Sequence, residues 1–95
     1  MKLVVSQAAL ADLARLRDFL FDKSFSAAER SVTVLTAALQ SLDVFPERGR
    51  PVGARNVREL IVRFGQSSYI VRYAYRQQDD EVVVLRIWHS REARE

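Results

Sequence analysis

There is no cysteine in these 95 residues. A disulfide framework and a thiolate metal site are both excluded, and a reducing compartment suits the chain. One histidine, His89, is too little imidazole for a transition-metal site, so no metal and no cofactor are expected. Proline occurs twice and glycine three times, and both prolines and two of the glycines fall between Phe45 and Gly53. No glycine-rich phosphate loop, nucleophile elbow or Ser-His-Asp order is present. No apolar run approaches the ~18 residues of a membrane span, and the apolar part of MKLVVSQAAL is too short for a signal segment. The expectation is a soluble cytoplasmic protein with no membrane partner.

What remains is ordinary globular material with a basic bias. A chain of this length makes one domain, 1–95, with one modest core. An apolar fraction of 48% and a charged fraction of 28% favour a folded chain, with disorder expected only at Arg94-Glu95. The net charge is +3, and thirteen of the fifteen cations are arginine. Arginine makes planar, bidentate contacts and tolerates partial burial, which suits recognition of phosphate or carboxylate. A GC-rich genome would give the same bias.

Along the chain, Lys2-Leu3-Val4-Val5 is a short β-type run and Ser6 is a candidate N-cap. Leu10, Leu13, Leu16 and Leu20 then follow helical spacing, with Asp12, Arg15, Asp18 and Asp22 mostly on the other side. Ser26-Ala27-Ala28-Glu29 reads as a capping box opening a second helix, continued by Val32, Leu35, Leu39 and Leu42. The two make a helical hairpin over 7–43. Phe45 to Gly53 is a crossing loop or turn. Three β-type runs follow. In the first, Leu60, Val62 and Phe64 share a face, with Arg58 leading that row. In the second, Tyr69, Val71, Tyr73 and Tyr75 alternate against Ile70, Arg72 and Ala74. The third, 81–88, is apolar on both faces and reads as a central strand. Short turns between them predict an antiparallel meander over 57–89. The fold class is α+β, in the order β-α-α-β-β-β, with the hairpin packed on a curved antiparallel sheet.

Chemistry rests on few residues. Arg58, Arg72, Arg86 and Arg91 lie in or just after strands, where they would converge on a patch for phosphate or an acidic protein segment. The alternative is a solvated face paired with Glu59, Asp79, Asp80 and Glu81. His89 follows Trp88 at the end of the last strand, where an imidazole can move a proton in RNA cleavage. A packing or hydrogen-bonding role is the commoner fate of such a histidine. Trp88, Tyr69, Tyr73 and Tyr75 suit base stacking, but strand aromatics more often fill cores.

Several short motifs occur together and in order: Ala9-x-x-Asp12-Leu13, Leu42-x-x-Phe45-Pro46-x-x-Gly49-Arg50, Arg58-Glu59-Leu60, Tyr69-Ile70-Val71-Arg72-Tyr73, and Ile87-Trp88-His89-Ser90-Arg91. In this the chain resembles the ParE/RelE toxin superfamily of bacterial type II toxin–antitoxin modules, over nearly its whole length. The resemblance implies a toxin neutralised by a cognate, ParD-like antitoxin in a hetero-oligomer, with operator DNA bound only through the antitoxin. It covers two activities: RelE-like members cleave mRNA on the ribosome, and ParE-like members trap DNA gyrase. RelE-like nucleases carry lysines on the first meander strand, where this chain has Glu59 and Ile61. They carry an arginine where Ile70 stands, and a late aromatic residue that has no counterpart before Glu95. The chain looks closer to ParE, which implies a plasmid-stabilising, growth-inhibiting gyrase inhibitor with no catalytic residue. The alternative is a ribosome-dependent endoribonuclease using His89, Arg91 and Arg72. Candidate contacts with target or antitoxin are Arg58, Arg72, Arg86, Trp88, His89 and Arg91.

Overall fold

The computed structural model describes residues 1–92. The disorder expected at Arg94-Glu95 lies outside them. The elements run β1 (Lys2–Val5), α1 (Gln7–Phe21), α2 (Phe25–Val44), β2 (Arg50–Pro51), β3 (Val57–Phe64), β4 (Ser67–Arg76) and β5 (Glu81–His89). The helical hairpin and the antiparallel β3-β4-β5 meander stand where periodicity puts them. The sheet order is β1-β5-β4-β3-β2. β1 pairs with β5 in parallel, from Lys2↔Glu81 to Val5↔Val84, so the sheet is mixed rather than purely antiparallel. The added β2 comes from the crossing loop, which lays Arg50 and Pro51 beside Glu59 and Arg58.

Helix starts follow side-chain capping. The Ser6 hydroxyl accepts from the Ala9 amide at 3.1 Å, as its position implies. The second helix begins earlier than the S-x-x-E motif suggests: Ser24, not Ser26, is the N-cap and accepts from the Ala27 amide at 3.2 Å. Ser26 lies inside the helix and accepts from Arg30.

Two helical faces are also turned relative to the leucine pattern. In α1 the buried positions are Ala9, Asp12 and Leu16, while Leu10 is exposed. In α2, Ala28 and Ser31 are buried and Val32 is exposed. Small residues at these positions let the layers approach closely, and a carboxylate occupies the place expected of a leucine.

The core lies between the hairpin and one sheet face. Leu35, Leu39 and Leu42 of α2 meet Leu60 and Val62 of β3, Tyr69, Val71 and Tyr73 of β4, and Val82, Val84 and Ile87 of β5. The strand tyrosines are core residues, with Tyr69 1% and Tyr73 0% exposed. β5 is an interior strand, as its two-faced apolarity implies. A register shift at Arg72/Tyr73 leaves Leu85 as an extra residue between Val84 and Arg86, a bulge that twists the strand locally.

Candidate functional site

β1 ends at Val5, so the outer edge of β5 beyond Val84 has no strand beside it. An unpaired edge is costly if buried and invites adhesion if exposed. Here α1 closes it with side chains. The Ser6 hydroxyl donates to Leu85 O at 3.1 Å, and the Ile87 amide donates to Asp12 Oδ2 at 2.8 Å. Arg15 Nη2 reaches Ile87 O at 3.4 Å, and the His89 amide donates to Glu92 Oε1 at 2.8 Å.

Asp12 is the hub of this seam. It is 2% exposed. Arg86 Nε and Nη2 donate to its two oxygens at 2.8 and 3.2 Å, and Arg15 Nη1 donates at 2.6 Å. Burial alone would raise its carboxyl pKa; the bonds from Arg86, Ile87 and Arg15 together outweigh that and hold it below 3.8. The Asp12 bond in turn raises the Arg15 pKa against the opposing effect of burial.

On the sheet face away from the hairpin, Arg72 lies opposite Glu59 on β3 and opposite Arg86 on β5. Its Nε and Nη2 both donate to Glu59 Oε2, at 2.9 and 2.7 Å. Glu59 is 3% exposed. The Arg72 and Arg86 guanidiniums stand 4.8 and 5.1 Å from the centre of the Trp88 ring. The result is a continuous row, Glu59–Arg72–Trp88–Arg86–Asp12, in which each cation meets a carboxylate and an aromatic face.

Arg58 has a different duty. It projects from the core side of β3 and donates to the carbonyls of Glu47 and Gly49, at 3.2 and 2.7 Å. The Tyr73 hydroxyl holds the same loop, donating to Pro46 O and accepting from the Gly49 amide, both at 2.8 Å. Burial raises the Tyr73 phenol pKa, partly offset by the Gly49 bond. A Cβ on Gly49 would sit 2.8 Å from Tyr73 Cε1 and 2.9 Å from Glu59 O, so a side chain there requires movement.

The expected arginine patch is therefore divided. Arg58 pins the crossing loop, while Arg72 and Arg86 flank Trp88 in ion pairs with buried carboxylates. His89 and Arg91 come together elsewhere, in a cleft of about 550 Å³ between α1 and the ends of β4 and β5. Arg15, Lys23 and Glu92 also line it, with Leu16, Phe19 and Leu20 as its apolar wall. The His89 ring packs edge-on against Tyr69, centres 5.7 Å apart, and its Nδ1 accepts from the Arg91 amide at 3.1 Å. Burial pushes the Tyr69 phenol pKa up, partly offset by a hydrogen bond with Ser31, so this hydroxyl is a neutral core group.

Sequence reasoning missed Asp12, Arg15 and Glu92 as members of the site; Glu59 it offered only as a partner on a solvated face, whereas the residue is 3% exposed. The signal for Asp12 was its place in Ala9-x-x-Asp12-Leu13, three residues before Arg15. A last strand carrying Arg86 needs a counter-charge, and the helix beside it offers one. Among the described residues no group of three or more His, Cys, Asp or Glu side chains could hold a metal. No described helix is long and apolar enough to cross a membrane.

Residues 3–94 match the family model described as "ParE toxin of type II toxin-antitoxin system, parDE". The chain belongs to the ParE toxin family. Curated relatives carry the sister name. "Toxin RelE1" of Caulobacter vibrioides is 44% identical over 91 residues, covering 96% of this chain and 95% of the relative. "Toxin RelE3" of the same organism is 37% identical over 86 residues, covering 90% of each. A solved chain from "Chromosomal ParDE TA system from P. aeruginosa" superposes with a TM-score of 0.73, covering 94% of this chain and 95% of that one. At 22% identity that last likeness is one of fold. This ParE-family chain is thus a toxin of a type II toxin–antitoxin system, and its family implies an antitoxin partner. The motifs that mark the family prove largely architectural: Asp12, Gly49, Arg58, Glu59, Arg72 and Trp88 all bind one part of the chain to another.

Proposed function

We propose that this toxin acts as ParE-like toxins do, on DNA gyrase, by stabilising its cleaved complex rather than by catalysing a reaction. The observation that carries this reading is the separation of the nuclease candidates. RNA cleavage needs one group to take the 2′-hydroxyl proton and another to protonate the 5′-oxygen. His89 and Arg91 share the cleft, but Arg72 lies on the opposite sheet face in its pair with Glu59. Tyr69 is a buried, neutral phenol. Neutralisation would come from a ParD-like antitoxin whose acidic segment covers the basic surface, and operator DNA would be bound through that antitoxin.

A second reading has one observation in its favour. His89 lies among Arg15, Lys23 and Arg91, a setting that would attract a phosphodiester. Growth assays on cells expressing His89→Ala and Arg91→Ala separate the two. The gyrase reading predicts that both variants still arrest growth, with at most a few-fold change in potency. Loss of toxicity in both, with folded protein present and mRNA cut in cells that express the unaltered toxin, would transfer the function to RNA cleavage.

A further inference from the structure

The cleft beside His89 already holds an anion, and the anion belongs to the chain itself. Glu92 Oε1 accepts from the His89 amide at 2.8 Å and from Arg15 Nη2 at 3.1 Å. We propose that this is a carboxylate-binding site for an acidic segment of a partner protein, and that Glu92 is the internal ligand occupying it in the free toxin.

The donors are fixed before any ligand arrives. The His89 amide is held by the strand, and Arg15 is oriented by its 2.6 Å bond to buried Asp12, which turns Nη2 toward the cleft. Receptor groups set in place in this way lose little freedom on binding. The resident ligand is weakly held. Arg15 is 43% and Glu92 34% exposed at the side chain, and an ion pair so open to water contributes little. A competing carboxylate can therefore replace Glu92 at small cost, whereas Asp12, 3% exposed at its side chain, stays in place.

Charge and shape name the occupant. Arg15, Lys23 and Arg91 face the cleft against the one carboxylate of Glu92, so the site attracts a further negative charge. Phe19, 59% exposed, stands beside Leu16 and Leu20, and Lys23 Nζ lies 4.9 Å from the Phe19 ring centre. An acidic residue next to a large apolar one satisfies both halves of this surface. A nucleotide chain would instead want open aromatic faces to stack on; Tyr69, the aromatic floor here, is 1% exposed, and the exposed Phe19 ring has the Lys23 ammonium over it. Naming the antitoxin as the source of that segment rests on the toxin–antitoxin reading; the carboxylate site itself does not.

The test is a nuclear magnetic resonance titration of the whole chain, following the His89 amide and the Arg15 Nε–H signals. The probes are acetyl-Leu-Glu-Leu-Glu-amide, its Leu-Gln-Leu-Gln counterpart and pentauridylate. In the unaltered toxin the Glu peptide should shift both signals, because Glu92 must leave. In Glu92→Gln it should bind about fivefold tighter, the worth of a displaced exposed ion pair. The Gln peptide should bind weakly to both proteins. Unmoved signals in the unaltered toxin, equal affinities in a folded Glu92→Gln variant, or a preference for pentauridylate would each overturn the proposal. None of these outcomes depends on gyrase, so the site and the proposed target fail separately.

Discussion

Asp12 accepts from two guanidiniums and one strand amide while only 2% of its surface meets water. Removing it leaves the Ile87 amide without its acceptor, and Arg86 and Arg15 without their shared counter-charge. Asp12→Ala should lower stability by about 2–3 kcal/mol in urea unfolding, below the usual range for a buried pair because both guanidiniums are partly exposed. The pH dependence has a defined sign. The folded pKa lies below 3.8, so the contribution is fully present above that value and is lost as pH falls through the folded pKa. Stability of the unaltered toxin should therefore fall more steeply on acidification below 3.8 than that of Asp12→Asn. Arg72 carries a related prediction. Arg72→Glu would set a second carboxylate against Glu59, itself 3% exposed, and should cost about 3 kcal/mol. The charge reversal would thus unfold a fraction of the chain rather than report cleanly on an interface, and circular dichroism in urea distinguishes the two.

At the scale of elements, the crossing loop joins the hairpin to the meander through hydrogen bonds that its prolines and glycines do not advertise. Arg58 and Tyr73 hold four of its backbone groups or share them, and Gly49 has no room for a methyl. Gly49→Ala should cost about 1–3 kcal/mol, the usual penalty of overpacking, read as a lowered urea midpoint with an unchanged slope. A midpoint within experimental scatter of the parent would mean that the loop gives way and is not pinned as described. Element type and order were legible from period alone, since alternation in β3 and β4 and leucine spacing in α1 and α2 are strong signals. Local competition decided the rest. Ser24 and Ser26 both offer a hydroxyl to an α2 start, and Ser24 takes the cap because Phe25 is already helical. The parallel pairing of β1 and the two-residue β2 have no local signature, since both depend on partners far along the chain.

At the scale of the molecule, a row of paired charges runs across the sheet from Glu59 to Asp12, and a basic cleft lies at its far end. The strand arginines were visible in sequence, and so was Glu59 as a partner for them; Asp12, the counter-charge of Arg86, was not, because it sits in a helix and looks like one more surface acid. Those arginines are paired internally, and the cleft lined by His89, Arg91, Arg15 and Lys23 is where we propose that an acidic partner segment docks. That arrangement suits a toxin that works by binding. The most direct test is a plasmid assay with purified gyrase, toxin and ATP, scoring supercoiling and linear DNA. Linear plasmid should accumulate with increasing toxin and vanish when the antitoxin is added first. Unaltered supercoiling and no linear DNA at a large excess of folded toxin would contradict the gyrase reading.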